Sequence, residues 1–436
     1  VNALAGSGKT TTLLGLIAAL KGKIQVVAFN RHIVERIKKD SRVPKSRVNV
    51  STAHSIGLSL LYRYFRGKPE IYADKYKDLI KSYVNVNIQQ GFPLESMIRK
   101  ELSIGNSNDK TTKDKLTKAF YKLRVEINNL LVKCQVNLTP LDDNSILEVI
   151  KLYGTDIPLN MGSMYWVCKA VRTILLKGEQ EAKEKQIISF TDLLWLPNKW
   201  NLSIYKKFDW VIGDEAQDSN KAIIGLYKKY YDSGARIILL ADPNQAIMGF
   251  AGSDVYSWKT LKDEFKPIEL PLSYCYRCPT SHIELASNIV PHIKPSPKAE
   301  EGIIRDKTTD ECIRQAMACD LVICRKNDSL IKTCLKMLGQ GKKAFIRGRN
   351  IQVQLSNLLE RITPPNCSLG EIESNLDFYY QVEKDKLTKK DNKSSIDLLN
   401  EKVNSLKACL KCFLPISNSI EELNSFINEL FEDKEN

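Results

Sequence analysis

Residues 3–11 read ALAGSGKTT, and the fold turns on what this loop does. The run Gly6-Ser7-Gly8 presents successive backbone N–H groups that can wrap one phosphate, and a helix behind it adds the positive end of its dipole. In this pattern Ala5, Gly6, Ser7, Gly8, Lys9, Thr10 and Thr11 form the cradle. Lys9 reaches the β- and γ-phosphates of a nucleotide, and the Thr10 hydroxyl ligates Mg²⁺. The strict pattern G-x-x-x-x-G-K-[ST] opens on Gly, where this chain has Ala3. A chance glycine loop is the competing explanation. The buried-strand residues before the loop and the apolar helix expected over 11–20 weigh against it.

A second stretch, WVIGDEAQDSN at 210–220, ends an apolar strand in Asp214, Glu215 and Asp218. Such a cluster repels itself and is costly to bury without a cation. By itself it is equally well a solvated acidic turn. Beside a phosphate loop it supplies what that loop lacks: Asp214 to hold Mg²⁺ through water, and Glu215 as general base for the attacking water. Gln217 and Asp218 fall where they could touch the nucleotide or a neighbouring loop. A third strand–loop, ADPNQAIMGFAGS (241–253), offers Gln245 as a γ-phosphate sensor and Met248 and Phe250 as stacking surfaces, although alone it is an ordinary connection.

The bulk properties set outer limits. A chain of 436 residues predicts two to four domains. With 43% hydrophobic and 27% charged residues and no apolar run long enough for a bilayer, it is expected to be soluble, without a membrane partner. The lack of a visible signal peptide points to the cytoplasm. Eleven scattered cysteines fit free thiols rather than a disulfide framework. The net charge of +14 is uneven: from 371 onward nine Lys and Arg face fourteen Asp and Glu, so that end carries −5 and the first 370 residues +19. A basic body suggests a polyanionic partner. The chain opens at Val1 with only about three residues ahead of the loop, which reads as a fragment.

Buried strands at 1–3, 24–29, 48–55, 208–214 and 235–242, alternating with helices, predict a doubly wound parallel sheet. Lys9 and Asp214 lie 205 positions apart, and the helical periodicity between about 60 and 184 reads as an insertion into that sheet. A second α/β pattern is expected from 276, with strands at 320–325 and 343–348, followed by polar helix after Pro364-Pro365. The pairs Cys275/Cys278 and Cys409/Cys412 are too far apart for one zinc site. Trp195 and Trp200 are expected to pack in the core.

The order AGSGKTT, VVAFNRHIVERIKK, STAHSIG, ISFTDLLWLP, GDEAQD, ADPNQAIMGFAGS and LSYCYRCPTSHIELASN resembles superfamily 1 helicases of the UvrD/Rep/PcrA branch, and DLVICRKNDSLIKTCLKMLGQGKKAFIRGR resembles the start of that family's second motor domain. The resemblance covers roughly residues 1–350. It implies an α/β fold with a P-loop RecA-like domain (1–60 and 185–275), a helical insertion (61–184) and a partial second RecA-like domain (276–365); the pattern beyond it predicts a helical C-terminal segment (366–436). It implies ATP and Mg²⁺ as cofactors, single-stranded DNA and duplex junctions as partners, 3′→5′ movement, and action as a monomer. By position, Tyr276 stacks on adenine, Arg277 reaches the γ-phosphate, and Phe29, Asn30, Thr52, His54, Met248 and Phe250 line the strand track.

The chain departs from the family at Met248, Phe250, Ala251 and Cys275, where Tyr, Trp, Arg and Asn are usual. The adenine-recognising glutamine element and two late motifs are missing, so weak activity is expected of this chain as it stands. Two other classes fit less of the sequence. A nucleotide-switched, strand-binding P-loop module would explain the missing motifs, and a P-loop NTPase with no nucleic-acid partner would leave Phe29, His54, Phe250 and the basic body unused.

Overall fold

The computed structural model describes residues 1–89, 94–101, 109–153, 161–245, 257–324, 326–346, 349–363, 367–388 and 393–431. They fall into two compact units, Val1–Ile304 and Arg305–Asn436.

In the first unit the apolar runs become short parallel strands: β1 (Asn2–Ala3), β2 (Ile24–Ala28) and β3 (Val48–Thr52). Further along come β4 (Glu70–Ile71), β5 (Ile187–Ile188), β6 (Trp210–Gly213), β7 (Arg236–Leu239) and β8 (Pro271–Leu272). The central sheet has the order β3-β2-β6-β7, with Val26 opposite both Val50 and Ile212. A bridge from Asn2 to Ala241 carries the ladder on to β1, which pairs with β8. All five residues of β2 are buried, as a parallel strand covered on both faces requires.

Helices α1 (Lys9–Ala19) and α2 (Arg31–Lys39) cover one face, packing Leu13, Ile17, Val34 and Ile37 against Val26 and Ile212. The other face is covered by α3 (Ala53–Phe65) and, further along the chain, by two helices over Asp192–Lys199 and Lys221–Asp232, which pack Ile56, Leu60, Leu194 and Tyr227 on Val27 and Val211. The sheet is therefore α/β and wound on both faces, as the strand–helix alternation predicts.

Between α3 and the return to the sheet lie α4 (Lys75–Gln89), α5 (Leu94–Glu101), α6 (Lys110–Val136), α7 (Asp143–Tyr153) and α8 (Met161–Lys185). They build one core that also takes in Leu61, Trp195 and Leu196, so Trp195 packs inside as expected. Where the chain leaves and re-enters, β4 pairs with β5, and Glu70 N–H donates to Gln186 O at 2.9 Å. The helix after β5 is α9 (Asp192–Lys199). At its start Asp192 accepts from Lys75 Nζ, the Tyr76 hydroxyl, Gln135 Nε2 and the Ser189 N–H, all at 2.8 Å. Lys75 and Asp192 side chains have no exposed surface.

The remaining elements of this unit are α10 (Lys221–Asp232), α11 (Ser257–Phe265), β9 (Tyr274–Cys275), α12 (Thr280–Ser287) and β10 (Lys294–Pro295), with β9 and β10 paired in parallel. No helix among the described residues is long and apolar enough to cross a membrane.

The second unit contains α13 (Thr309–Gln315), α14 (Asn327–Gly339), α15 (Arg349–Ile362), α16 (Ile372–Thr388), α17 (Lys393–Phe413) and α18 (Ile420–Glu429) around a core of Ile331, Leu358, Leu376, Leu406 and Ile427. The strands expected at 320–325 and 343–348 find no ladder among the described residues. A strand exists only through pairing, and here Leu321 and Ile323 are 77% and 82% exposed, while Ile346 N–H donates to Leu430 O instead.

Two glycines test the packing. A Cβ on Gly57 would sit 1.7 Å from Leu193 O, because α3 and α9 touch backbone to backbone, whereas one on Gly15 in α1 would meet nothing within 4 Å. Gly57→Ala is expected to destabilise the fold by about 1–3 kcal/mol through overpacking. Gly15→Ala is expected to stabilise it by about 0.5–1 kcal/mol through helix propensity. Denaturant melts of the two variants check the opposite signs.

Candidate active site

The chemistry-bearing side chains gather beyond the carboxyl ends of the parallel strands, where an open α/β sheet leaves its crevice. The loop after β1 turns through Gly6 (φ 69°) and Gly8 (φ 88°), left-handed conformations that glycine adopts without strain. Gly8 caps α1, so Lys9 and Thr10 lie in its first turn, two residues earlier than the periodicity alone suggests. The β9 segment lies directly against this loop. Tyr276 N–H donates to Gly6 O at 2.9 Å, and a Cβ on Gly6 would stand 2.5 Å from Cys275 Sγ and 3.0 Å from Arg277 Cβ. Tyr276 and Arg277, 270 positions further along the chain, are thereby brought to the phosphate loop, with the Tyr276 ring exposed.

The acidic turn faces the loop from β6. Asp214 N–H donates to Val27 O at 3.0 Å, and Ala216 N–H to Leu240 O at 3.0 Å, so the turn is pinned to strands on either side. Between them Glu215 is left-handed (φ 48°, ψ 47°), an unusual backbone for a non-glycine residue. Lys9 Nζ donates to Glu215 Oε2 at 2.8 Å, and Gln217 Nε2 donates to the same oxygen at 2.8 Å. Gln217 Oε1 in turn accepts from Asp242 N–H at 3.1 Å. Gln245 closes the short 3-10 turn that follows, its N–H donating to Asp242 O at 2.9 Å.

Burial pushes the Asp214 carboxyl above the usual carboxylate range, and the neighbouring Glu215 charge adds to the shift. Asp218 is raised by the same two causes in the same order, and Asp242 mainly by burial. Lys9 is the cation that opposes the shift in all three. Asp218 Oδ1 and Ser7 Oγ are buried without a hydrogen-bond partner. A surplus of hard oxygen donors around one lysine suits Mg²⁺ chemically. Asp214 and Asp242 follow the ends of β6 and β7, and Thr10 lies in the first turn of α1.

Asp242 escapes the sequence reading, although the signal is present: ARIILLAD repeats the pattern of FDWVIGD, an apolar strand ending in an acid. Phe190 also escapes it. Its ring, 54% exposed, stacks on His54 with centroids 4.5 Å apart and planes at 26°. Burial lowers the pKa of His54, favouring its neutral form. Phe29 is exposed beyond the end of β2. The oxygens of Asn30 and Thr52 are engaged as helix caps, accepting from Ile33 N–H at 2.9 Å and Ser55 N–H at 3.2 Å. Met248 and Phe250 lie outside the described residues.

Fold and site together define a P-loop nucleotide-binding α/β protein. The family model for the UvrD/REP helicase N-terminal domain matches residues 1–266, and the chain belongs to that family. The chain is 24% identical over 319 residues to the ATP-dependent DNA helicase srs2 of Schizosaccharomyces pombe, covering 67% of this chain and 33% of that protein. It is 28% identical over 195 residues to the RecBCD enzyme subunit RecB of Buchnera aphidicola subsp. Acyrthosiphon pisum, covering 42% and 16%. A probable DNA helicase II homolog of Mycoplasma pneumoniae is 30% identical over 128 residues, covering 26% and 17%. The chain thus spans a third or less of the length of these relatives.

Since Asp214 and its neighbours hold protons more tightly folded than unfolded, the stability they contribute is full below the ordinary carboxylate value and is lost as pH rises through their raised folded values. Asp214→Asn is therefore expected to raise the Tm of the ligand-free protein at neutral pH. The gain should be about 2–4 °C for each kcal/mol of repulsion relieved, and the gap should narrow on acidification. Thermal melts across a pH series check the sign.

Proposed function

We propose that the chain is the ATP-binding and strand-gripping portion of a DNA helicase that moves 3′→5′ along single-stranded DNA and opens duplex junctions. On this proposal residues 1–60 and 185–275 form the first RecA-like motor domain, 61–184 its helical insertion, 276–365 part of the second, and 366–436 a helical segment beyond it. The observation that carries the proposal is the Lys9–Glu215 pair at 2.8 Å, which joins the phosphate loop to the acidic turn across 206 positions.

In the ligand-free state this pair keeps the base occupied. Triphosphate entering the loop offers Lys9 stronger anionic partners, and Glu215 is released to face water. Glu215 Oε2 then accepts a proton as the water oxygen bonds to the γ-phosphorus and the bond from that phosphorus to the β-bridging oxygen breaks. Thr10 and Asp214 would hold Mg²⁺, which would supply charge neutralisation for the triphosphate. Gln217 ties Glu215 to the β7 end, from which Gln245 monitors the γ-phosphate. Tyr276 offers its exposed ring to adenine and Arg277 its charge to the γ-phosphate. Phe29 and the His54–Phe190 stack give successive bases flat, sequence-tolerant surfaces.

The test is ATPase turnover with and without single-stranded DNA, with nucleotide binding measured in parallel. Turnover should rise on adding DNA, and Glu215→Gln should lower it about 10²–10⁴-fold while ATP still binds. Binding of ATP and DNA without turnover in the parent chain would instead favour a nucleotide-switched strand-binding module.

A further inference from the structure

Beside the His54–Phe190 stack the surface of α3 opens into a groove of about 470 Å³, within the range of small-ligand pockets. Helical spacing makes the two continuous: Leu58, which lines the groove, stands one turn beyond His54 on the same face of α3. Ser55, Ser59, Tyr62 and Arg63 continue the wall, and Tyr205 forms the other side.

This wall is built to present a ring. The Tyr205 hydroxyl and Ser59 Oγ are 2.5 Å apart, which tethers the ring to α3. The Arg63 guanidinium lies over the Tyr205 ring, 4.9 Å from its centroid, and Lys206 Nζ over it at 5.9 Å, so the ring carries two cations at its faces. Tyr62 and Tyr205 remain 52% and 38% exposed. Among the described residues no acid lines the groove, and the adjoining Arg66 and Lys207 are exposed. A smaller recess of about 100 Å³ continues inward past Ser59 and Tyr205 to the side-chain amides of Gln25 and Asn49. Aromatic faces between cations, with amides beneath, suit a nucleobase stacked on tyrosine with its phosphate on arginine.

We propose that this groove is a further nucleotide subsite, in which the single-stranded polynucleotide leaving the His54–Phe190 stack places its next base on Tyr205 and a phosphate on Arg63. The proposal rests on the strand-track assignment made above. It extends the track along α3, away from the nucleotide crevice, and lengthens the segment of strand the protein grips.

The test is fluorescence anisotropy on the 436-residue chain with oligothymidylates from about 4 to about 16 nucleotides, and with oligouridylates in parallel to learn which sugar is accepted. Tyr205→Ala should weaken binding of the long oligomers roughly 5- to 100-fold and leave the shortest unchanged. Tyr205→Phe, which keeps the ring, should restore it. Arg63→Gln should reduce the slope of log K against log salt by about 0.7 for the long oligomers. Loss in Phe190→Ala with none in Tyr205→Ala at any length would overturn the subsite and leave the track standing. Loss in Tyr205→Ala with none in Phe190→Ala would keep the groove as a strand site and remove the stack from the track. Equal loss at every length in Tyr205→Ala would also overturn the proposal, since a terminal subsite cannot weaken oligomers too short to reach it.

Discussion

A lysine and an aspartate with no exposed surface, Lys75 and Asp192, hold the first unit together. Buried charges are tolerated only when paired and fully hydrogen-bonded, and this pair meets that condition. Asp192 accepts four donors, while Lys75 also donates to Gly178 O at 2.8 Å. The donors come from α4, from the end of α6 and from the turn before α9, and the Gly178 carbonyl from α8, so one carboxylate ties these helices to the start of α9. Removing either charge would strand the other, at about 3–5 kcal/mol, a large share of a typical domain's stability. The same network holds Ser189 and Thr191, since Thr191 Oγ1 donates to Gln135 Oε1 at 2.7 Å. Phe190 between them is left with its ring outward against His54. The helices between α3 and α9 thus set the position of the His54–Phe190 surface.

The acids at the strand ends are provided for in the opposite way. Asp192 has a donor on every side; Asp218 Oδ1 has none, and Asp214 and Asp242 are held above the usual carboxylate range by burial. One lysine, already committed to Glu215, faces them. Polar satisfaction is nearly complete at Asp192, where helices are tied together, and incomplete at the acids after β6 and β7. That contrast separates the two kinds of carboxylate more sharply than burial does, because Asp242 is buried almost as fully as Asp192.

What the sequence disclosed follows from the range of each signal. The phosphate loop, the apolar strands and the acidic turn are local patterns of fewer than a dozen residues, and the structure has them at the expected positions. Asp192 is local too, but a first-turn acid is equally well explained by the helix dipole, so its pairing with Lys75, 117 positions away, leaves no trace. Asn30 and Thr52 carry an ambiguity of the same kind: a polar residue after a strand is both a ligand candidate and a helix cap, and their geometry records the cap. The runs 320–324 and 343–346 show the limit from the other side, for a strand-like composition becomes a strand only when a partner strand is present.

The nucleotide crevice and the aromatic surface are parts of one packed body. Ala216, between Glu215 and Gln217, shares a core with Val27, Ala53, Ile56 and Leu60. Three of these lie on the inner side of α3, whose outer side carries His54, Tyr62 and Arg63. Asp214 is hydrogen-bonded to the carbonyl of Val27, two residues before Phe29. A close-packed core transmits displacement rather than absorbing it. In the proposed function Lys9 would exchange Glu215 for phosphate, and any adjustment of the turn at 215–217 would bear on α3 and on the end of β2 together. Under that proposal coupling between triphosphate and strand would need no long relay, since the two ligands would meet opposite sides of one helix and neighbouring residues of one strand.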